Sequence, residues 1–189
     1  MKKKRLVGFY NVSVILTYMS LLSAVLGIFL AIDGSVIGPI ICLLVSGICD
    51  SFDGKVARSI ERTDDEKAFG IQIDSLCDLI AFGALPVAAS YCEGVKGVVG
   101  IIVLMIYQLA ALVRLGYYNV TEQNRQKETD GLRGYFNGLP VTSIAVIFPL
   151  VHLLRLAVSP ETFAIILGAV MFVTAAFFVI NIKVKKLKF

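Results

Sequence analysis

Six long apolar stretches constrain this chain more than any other feature of its sequence. An α-helix needs about 20 apolar residues to cross the hydrocarbon core of a bilayer. Six stretches have that length and character: Phe9–Ile32, Val36–Arg58, Phe69–Cys92, Val95–Asn119, Gly138–Ala157 and Phe163–Ile182. Hydrophobic residues make up 57% of the 189 residues and charged residues only 17%, which excludes an ordinary soluble domain. The sequence therefore predicts a single all-α integral membrane domain over residues 1–189, built as a bundle of six transmembrane helices.

The basic residues predict how this bundle is oriented. All but two of the 18 lysines and arginines precede the first stretch, follow the last, or lie around the second-to-third and fourth-to-fifth links. The exceptions, Lys96 and Arg155, fall at the opposite ends of the helices. Because basic residues concentrate on the cytoplasmic side of membrane proteins, we expect both termini in the cytoplasm and the protein in the cell membrane. The net charge of +4 then faces anionic lipid, and no nucleic acid is expected as a partner.

Four aspartates lie inside the predicted spans, where ionisable groups are costly and point to function. Asp50 and Asp53 are three residues apart near the end of the second stretch, and Asp74 and Asp78 are four apart near the start of the third. Each pair therefore shares one helix face. At a rise of about 1.5 Å per residue, Asp53 and Asp74 lie roughly 6–8 Å deep and Asp50 and Asp78 roughly 12 Å deep. Because a short cytoplasmic link joins the two helices, we expect the four carboxylates to meet at two matched depths.

Clustered carboxylates repel one another in a medium of low dielectric constant, so they are either partly protonated or bound to cations. Hard oxygen ligands favour Mg²⁺, Mn²⁺ or Ca²⁺. The single histidine, His152, falls near the opposite end of the fifth stretch and is not expected to belong to the site. Two metal ions bridged by carboxylates are a common device for displacement at phosphorus. The aspartates therefore indicate a divalent-metal site that acts on a phosphate ester.

The neighbours of the aspartates suit a phosphorylated substrate. Gly54 and Ala57 lie on the same helix face as the first acidic pair and leave room for a bulky group, although small residues also serve helix packing in membranes. Arg58 is one turn closer to water, where it can grip a diphosphate. Arg114 lies about five residues inside the fourth stretch, level with the aspartates. At that depth it needs an anion, either the aspartates or a substrate carboxylate, unless it reaches outward to lipid phosphates.

The aspartates form part of a longer motif, Asp50-x-x-Asp53-Gly54-x-x-Ala57-Arg58 followed by Gly70-x-x-x-Asp74-x-x-x-Asp78. This run resembles the signature of the CDP-alcohol phosphatidyltransferases, and all eight of its fixed positions are present. The resemblance implies an integral membrane enzyme with six transmembrane helices, which transfers the phosphatidyl group of a CDP-linked lipid to an alcohol and releases CMP. One departure is the segment between the arginine and the glycine, which has 11 residues, three more than is usual. The extra residues lie in the charged link and leave the spacing of the aspartates unchanged.

The same resemblance implies a role for each matched residue. Asp50, Asp53 and Asp74 are implied ligands of two divalent ions, Mg²⁺ or Mn²⁺ in preference to Ca²⁺. Asp78 is the implied general base and also a metal ligand. Four residues are implied to bind the CDP-lipid: Thr17, Gly54, Ala57 and Arg58.

Within this family, the chain is most similar to the phosphatidylserine synthases. Three stretches carry that similarity: Asp74–Pro86, Arg114–Asn119 and Phe136–Pro140. The similarity implies CDP-diacylglycerol as the donor, L-serine as the acceptor, and a homodimer in the bilayer. It also implies three acceptor-binding residues: Ser75, Arg114 and Asn119.

Three other interpretations of the sequence stay open. The acceptor can be another small alcohol, such as glycerol 3-phosphate or an inositol phosphate, because Arg125, Lys127 and Arg133 offer further cations near the fourth and fifth stretches. In a different class, the same carboxylates can serve a divalent-metal transporter. Transporters favour internal repeats and sites near the bilayer midplane, whereas this sequence has no repeat and its acids lie toward one end. A structural membrane protein is the remaining alternative.

Overall fold

The computed structural model describes residues 8–10, 12–60, 62–128, 135–181 and 183–185. Its α-helices are α1 (Val12–Ile32), α2 (Ile37–Arg58), α3 (Asp64–Asp78), α4 (Leu85–Cys92), α5 (Gly97–Glu128), α6 (Ile144–His152) and α7 (Pro160–Val179). A π-helical segment, Leu79–Ala84, joins α3 to α4 without a break, and 3₁₀ segments at Val141–Ser143 and Leu153–Leu156 flank α6. Two short strands, β1 (Tyr135–Asn137) and β2 (Lys183–Lys185), complete the described elements.

In the described part of the chain, five helical stretches are long and apolar enough to cross a membrane: Val14–Ile32, Ile37–Val56, Asp64–Cys92, Gly97–Gln123 and Pro160–Val179. They agree with the expected multi-pass helical bundle. Half of the apolar window in Asp64–Cys92 is buried, compared with 22–39% in the other four. The continuous helix formed by α3, the π segment and α4 is therefore central, and the other helices present much of their apolar surface to lipid.

The predicted fifth span, Gly138–Ala157, is shorter in the structure. Its helical part is Val141–Leu156, which is apolar but shorter than the other spans. Pro140 has extended backbone just before it, and Pro149 removes a backbone donor inside α6. Within the described residues, five stretches therefore have the length of a span, and the sixth expected span is not confirmed.

Helix α3 begins at Asp64, ahead of the predicted start at Phe69, because of a capping box. The Glu66 backbone N–H donates to Thr63 Oγ1 at 3.3 Å, and the Thr63 N–H donates to Glu66 Oε2 at 2.9 Å. Such reciprocal bonds satisfy donors that a helix start leaves free. Part of the charged link predicted between the second and third spans is therefore the first turn of α3.

Small residues bring α1 and α2 into close contact. Ser46 Oγ donates to the Ser20 carbonyl at 3.0 Å, and Ser20 Oγ donates to the Ser46 carbonyl at 3.5 Å. A Cβ atom on Gly27 would lie 2.8 Å from the Cys42 Cβ, so only glycine fits there. Small residues commonly allow such approaches between membrane helices. This contact fixes the acidic end of α2 against α1.

The strands β1 and β2 form an antiparallel ribbon that the all-α prediction did not include. Tyr135 pairs with Lys185, and Asn137 pairs with Lys183. The ribbon joins the segment before α6 to the segment after α7, so these two helices form a hairpin whose strands meet at one end.

The opposite end of this hairpin is held by a polar cluster. His152 Nε2 lies 2.7 Å from Glu93 Oε1, and Arg155 Nε lies 3.3 Å from Glu93 Oε2. The His152 and Glu93 side chains are both buried. The cluster connects the end of α6 to the turn between α4 and α5, at the far end of the central helix from the aspartates.

Candidate active site

Three of the four aspartates meet between α2 and α3. One carboxylate oxygen from each of Asp50, Asp74 and Asp78 lies within 4.8 Å of the other two. Asp50 comes from α2, whereas Asp74 and Asp78 come from α3 and share a face because they are four residues apart. The acidic ends of the two helices therefore face each other.

The fourth aspartate, Asp53, connects this group to α1. Thr17 Oγ1 donates a hydrogen bond to Asp53 Oδ2 at 3.2 Å, and Asp53 also faces the Asp74 carboxyl group. Thr17 and Asp53 are both buried. The four carboxyl groups and the threonine hydroxyl thus form one polar site enclosed by α1, α2 and α3.

The chemistry of this site fits a divalent metal ion. Asp74 Oδ1 is buried and accepts no hydrogen bond from the described residues, and a buried oxygen left without a partner costs about 1–3 kcal/mol. A hard cation would supply that partner and offset the repulsion between the carboxylates. Asp50, Asp74 and Asp78 offer oxygen ligands alone, which suits Mg²⁺ or Mn²⁺ better than zinc.

The structure describes the side-chain position of only some of the residues predicted to bind the CDP-lipid. Gly54 is half-buried and follows Asp50 by one turn of α2. Ala57 and Arg58 belong to the last turn of α2, but their side chains lie outside the described part of the chain. Their binding roles stay predictions.

Arg62 is a further cation beside this site. In the sequence it contributed only to the predicted orientation of the bundle. Its Nη1 lies 3.4 Å from the position that a Cβ atom on Gly70 would occupy. Gly70 precedes Asp74 by one turn of α3, so the guanidinium group lies beyond the aspartates, toward the beginning of α3. The sequence offered one indication that Arg62 could belong to the site, namely its position in the link that carries the three extra residues.

The predicted acceptor residues occupy two different places. Ser75 Oγ donates to Asn119 Oδ1 at 2.7 Å, which joins α3 to α5. Arg114 faces away from Asn119, because five residues of a regular helix turn by about 140°. Arg114 Nε donates to the Leu139 carbonyl at 3.2 Å, and its Nη2 donates to the Gly138 carbonyl at 3.5 Å. The structure thus brings Ser75 and Asn119 together and sets Arg114 against the segment that leads into α6.

A cavity of about 240 Å³ lies beside Arg114, between α5 and the end of α7. Its walls include Tyr117, Phe178 and Asn181. Gly138 passes close by with a φ of +86°, and a Cβ atom there would lie 3.1 Å from the Ile180 carbonyl oxygen. The role of Arg114 in binding the acceptor stays a prediction.

The chain belongs to the CDP-alcohol phosphatidyltransferase family, whose model matches residues 10–180. This confirms the family identified from the aspartate motif. Among curated relatives, the archaetidylserine synthase of Methanothermobacter thermautotrophicus is 34% identical over 147 residues, which cover 77% of this chain and 59% of that protein. The CDP-diacylglycerol–serine O-phosphatidyltransferase of Saccharomyces cerevisiae is 33% identical over 115 residues, which cover 59% of this chain and 41% of the yeast protein. The Helicobacter pylori protein of the same name is 34% identical over 117 residues, with 60% and 46% covered. The chain spans about half the length of these relatives.

Proposed function

We propose that the protein transfers the phosphatidyl group of CDP-diacylglycerol to L-serine, giving phosphatidylserine and CMP. The observation that carries this proposal is the meeting of Asp50, Asp74 and Asp78 within 4.8 Å, in a chain of this family. The names of the relatives support serine as the acceptor, since two are named for transfer from CDP-diacylglycerol to serine and one for archaetidylserine synthesis.

The proposed cofactor is a pair of Mg²⁺ or Mn²⁺ ions held by the four aspartates: Asp50, Asp53, Asp74 and Asp78. Such ions supply positive charge that neutralises a diphosphate and stabilises a leaving nucleotide. Thr17 orients Asp53 through the hydrogen bond at 3.2 Å, as residues behind a metal ligand commonly do. Arg58, Thr17 and the small residues Gly54 and Ala57 are the proposed binding residues for the CDP-lipid.

Asp78 is the proposed general base. A serine hydroxyl has a pKa far above 7, so its attack needs a base near the phosphorus. Asp78 is buried and belongs to the carboxylate group. It takes the hydroxyl proton while the serine oxygen bonds to the phosphorus that carries diacylglycerol. The bond from that phosphorus to the CMP oxygen breaks, and CMP leaves with the electron pair.

Ser75 and Asn119 hold the polar groups of the acceptor in this proposal. The Ser75 hydroxyl donates to Asn119 Oδ1, which orients the Asn119 amide so that its nitrogen can donate to a carboxylate. Arg114, which lines the cavity beside the end of α7, is the second candidate for binding the serine carboxylate. Steady-state kinetics, with serine and CDP-diacylglycerol varied in turn, distinguishes the Ser75–Asn119 place from the Arg114 place.

The proposed membrane arrangement has six crossings in one domain, with both termini and the aspartates on the cytoplasmic side. The β1–β2 ribbon supports it, because the chain leaves for α6 and returns from α7 at the same end. Since α7 has the length of a span, α6 must cross as well for the strands to pair. The homodimer that the family resemblance implies stays a prediction, which the mass of the protein in nanodiscs would check.

The test of this function is CMP release by the purified protein in phosphatidylcholine nanodiscs that contain CDP-diacylglycerol. L-serine, glycerol 3-phosphate and inositol phosphate are each supplied with Mn²⁺ or Mg²⁺, and the lipid product is identified by mass spectrometry. We expect CMP release with L-serine and with neither of the other two alcohols. Chelation of the metal should abolish this release reversibly. Release with another alcohol would correct the acceptor, and full activity in the metal-free protein would end the metal proposal.

A further inference from the structure

The central helix changes its hydrogen-bond pattern directly after Asp78. Residues Leu79–Ala84 are π-helical, and the Leu85 N–H donates to the carbonyl of Ile80, five residues earlier. A π segment puts an extra residue into a helical turn, so it changes the direction in which the flanking side chains point. Its geometry is less favourable than that of an α-helix, and such segments are frequent at functional sites.

Pro86 provides the physical cause of this segment. In an α-helix, residue 86 would donate to the carbonyl of Phe82, but proline has no N–H and its ring clashes with that carbonyl. Helices in membranes accommodate proline through local π geometry and through neighbours that satisfy the freed carbonyl. Tyr107 of α5 is that neighbour, since its hydroxyl donates to the Phe82 carbonyl at 2.7 Å.

Tyr107 is held firmly in this position. Its side chain is fully buried, and its ring lies 5.5 Å from the ring of Phe178 on α7. The next residue, Gln108, lies against Gly83, where a Cβ atom would come within 2.9 Å of Gln108 Oε1. Helix α5 therefore contacts the π segment at two consecutive residues, and α7 supports that contact from behind.

We propose that Tyr107 is a positioning residue for the metal site. Phe82 follows Asp78 by one turn, so the bond that holds the Phe82 carbonyl also sets the rotation of the turn that carries Asp78. That rotation directs the Asp78 carboxylate toward Asp50, with which it shares the cluster. Tyr107 itself contacts neither substrate nor metal in this proposal. The inference rests on the proposed function, because it takes the aspartates to be metal ligands.

The test compares wild type with Tyr107→Phe, which removes the hydroxyl and keeps the ring. Mn²⁺ binding to the purified protein in nanodiscs is measured by electron paramagnetic resonance, and we expect the dissociation constant to rise about 10-fold, as for other residues that orient metal ligands. In the metal-free protein, hydrogen–deuterium exchange of the amides at residues 79–87 should become faster. Tyr91→Phe is the matched control, since Tyr91 is exposed at the far end of α4, and it should change neither measurement.

A second variant, Pro86→Ala, restores the backbone donor that Phe82 lacks. The effect of Tyr107→Phe on the Mn²⁺ dissociation constant should be smaller in this background than in wild type, because the two positions act on one carbonyl. Equal effects in both backgrounds would overturn the inference. So would an unchanged Mn²⁺ affinity in Tyr107→Phe, whether or not its thermal stability falls. A wild-type protein that binds no Mn²⁺ would instead refute the proposed metal site, and this inference with it.

Discussion

Asp78 has two proposed roles, and a single substitution can distinguish them. Asp78→Asn keeps the size of the side chain and removes its ability to take a proton. We expect the rate of the chemical step to fall by about 10²–10⁴-fold, the usual effect of losing a general base, while CDP-diacylglycerol and at least one Mn²⁺ still bind. The measurement is the single-turnover rate together with Mn²⁺ stoichiometry. Asp33→Asn is the control, because Asp33 is exposed at the turn after α1. Loss of all bound metal would make Asp78 chiefly a ligand, and a near wild-type rate would remove it from the chemistry.

Ser75 and Arg114 offer a test of where the acceptor binds. Ser75→Ala removes the donor that orients Asn119, so the KM for serine should rise several-fold while the KM for CDP-diacylglycerol stays close to that of wild type. Arg114→Lys keeps the charge but loses the planar fork of donors, and it should act in the same direction if Arg114 binds the serine carboxylate. Steady-state kinetics with each substrate varied in turn provides the measurement. Equal rises in both KM values for Arg114→Lys would mean that it only supports the Gly138–Leu139 backbone.

Contacts between residues that are close in the sequence were easier to predict than contacts between residues that are far apart in it. The spacing of Asp74 and Asp78 on one helix face was sufficient to predict their convergence. The bond between Ser75 and Asn119, by contrast, joins positions 44 residues apart, and only the family resemblance pointed to both. The Tyr107 hydroxyl gave no signal at all, since a tyrosine within an apolar stretch is indistinguishable from any other core residue until its partner carbonyl is known.

Hydropathy located the helices but missed the features that modify them. The capping box at Thr63 lengthens α3 through side-chain bonds that a hydropathy window does not detect. The π segment after Asp78 lies inside a continuous apolar run, so its change of hydrogen bonding leaves the composition unaltered. In the central helix and in α6, a proline was the sequence feature that could have indicated the irregular backbone. In α6 this residue is Pro149, which lies within the helix. A local backbone rule, applied at each proline, would have refined the predicted spans.

Helix α6 is short, so the contacts at its His152 end should matter for stability. Glu93→Gln weakens the hydrogen bond between Glu93 and His152 and removes the ion pair with Arg155. A buried hydrogen bond to a charged group contributes about 1.5–3 kcal/mol. We expect a lower melting temperature in nanodiscs and a kcat close to that of wild type, since the cluster lies far from the aspartates. Asp33→Asn, at the exposed turn after α1, is the control. A large loss of kcat without a change in melting temperature would contradict this structural role.

At the scale of the whole molecule, the two ends of the bundle differ in chemistry. One end carries the aspartates and the β1–β2 ribbon, and the other carries the Glu93 cluster and the tight turn after α1. Such polarity is expected if the protein carries out the proposed transfer, which brings a water-soluble acceptor from one side to a lipid within the bilayer. Whether the whole chain has this polarity depends on whether α6 and α7 both cross the membrane.

Cysteine labelling can count those crossings, because native Cys92 is exposed at the end of α4 that we assign to the outside. A membrane-impermeant maleimide added to intact bacterial cells should label Cys92, and Cys92→Ser should abolish that signal. In a background that lacks Cys92 and Cys49, Ser59→Cys reports on the α2–α3 link and Asn181→Cys on the segment after α7; both wild-type residues are exposed. Six crossings predict that both introduced cysteines react only after the cells are permeabilised. Labelling of Asn181→Cys from outside, with Ser59→Cys still protected, would show that only one of α6 and α7 crosses, and α6 is the one that lacks the length of a span. The ribbon would then be unable to form in the membrane, since its two strands would lie on opposite sides of the bilayer.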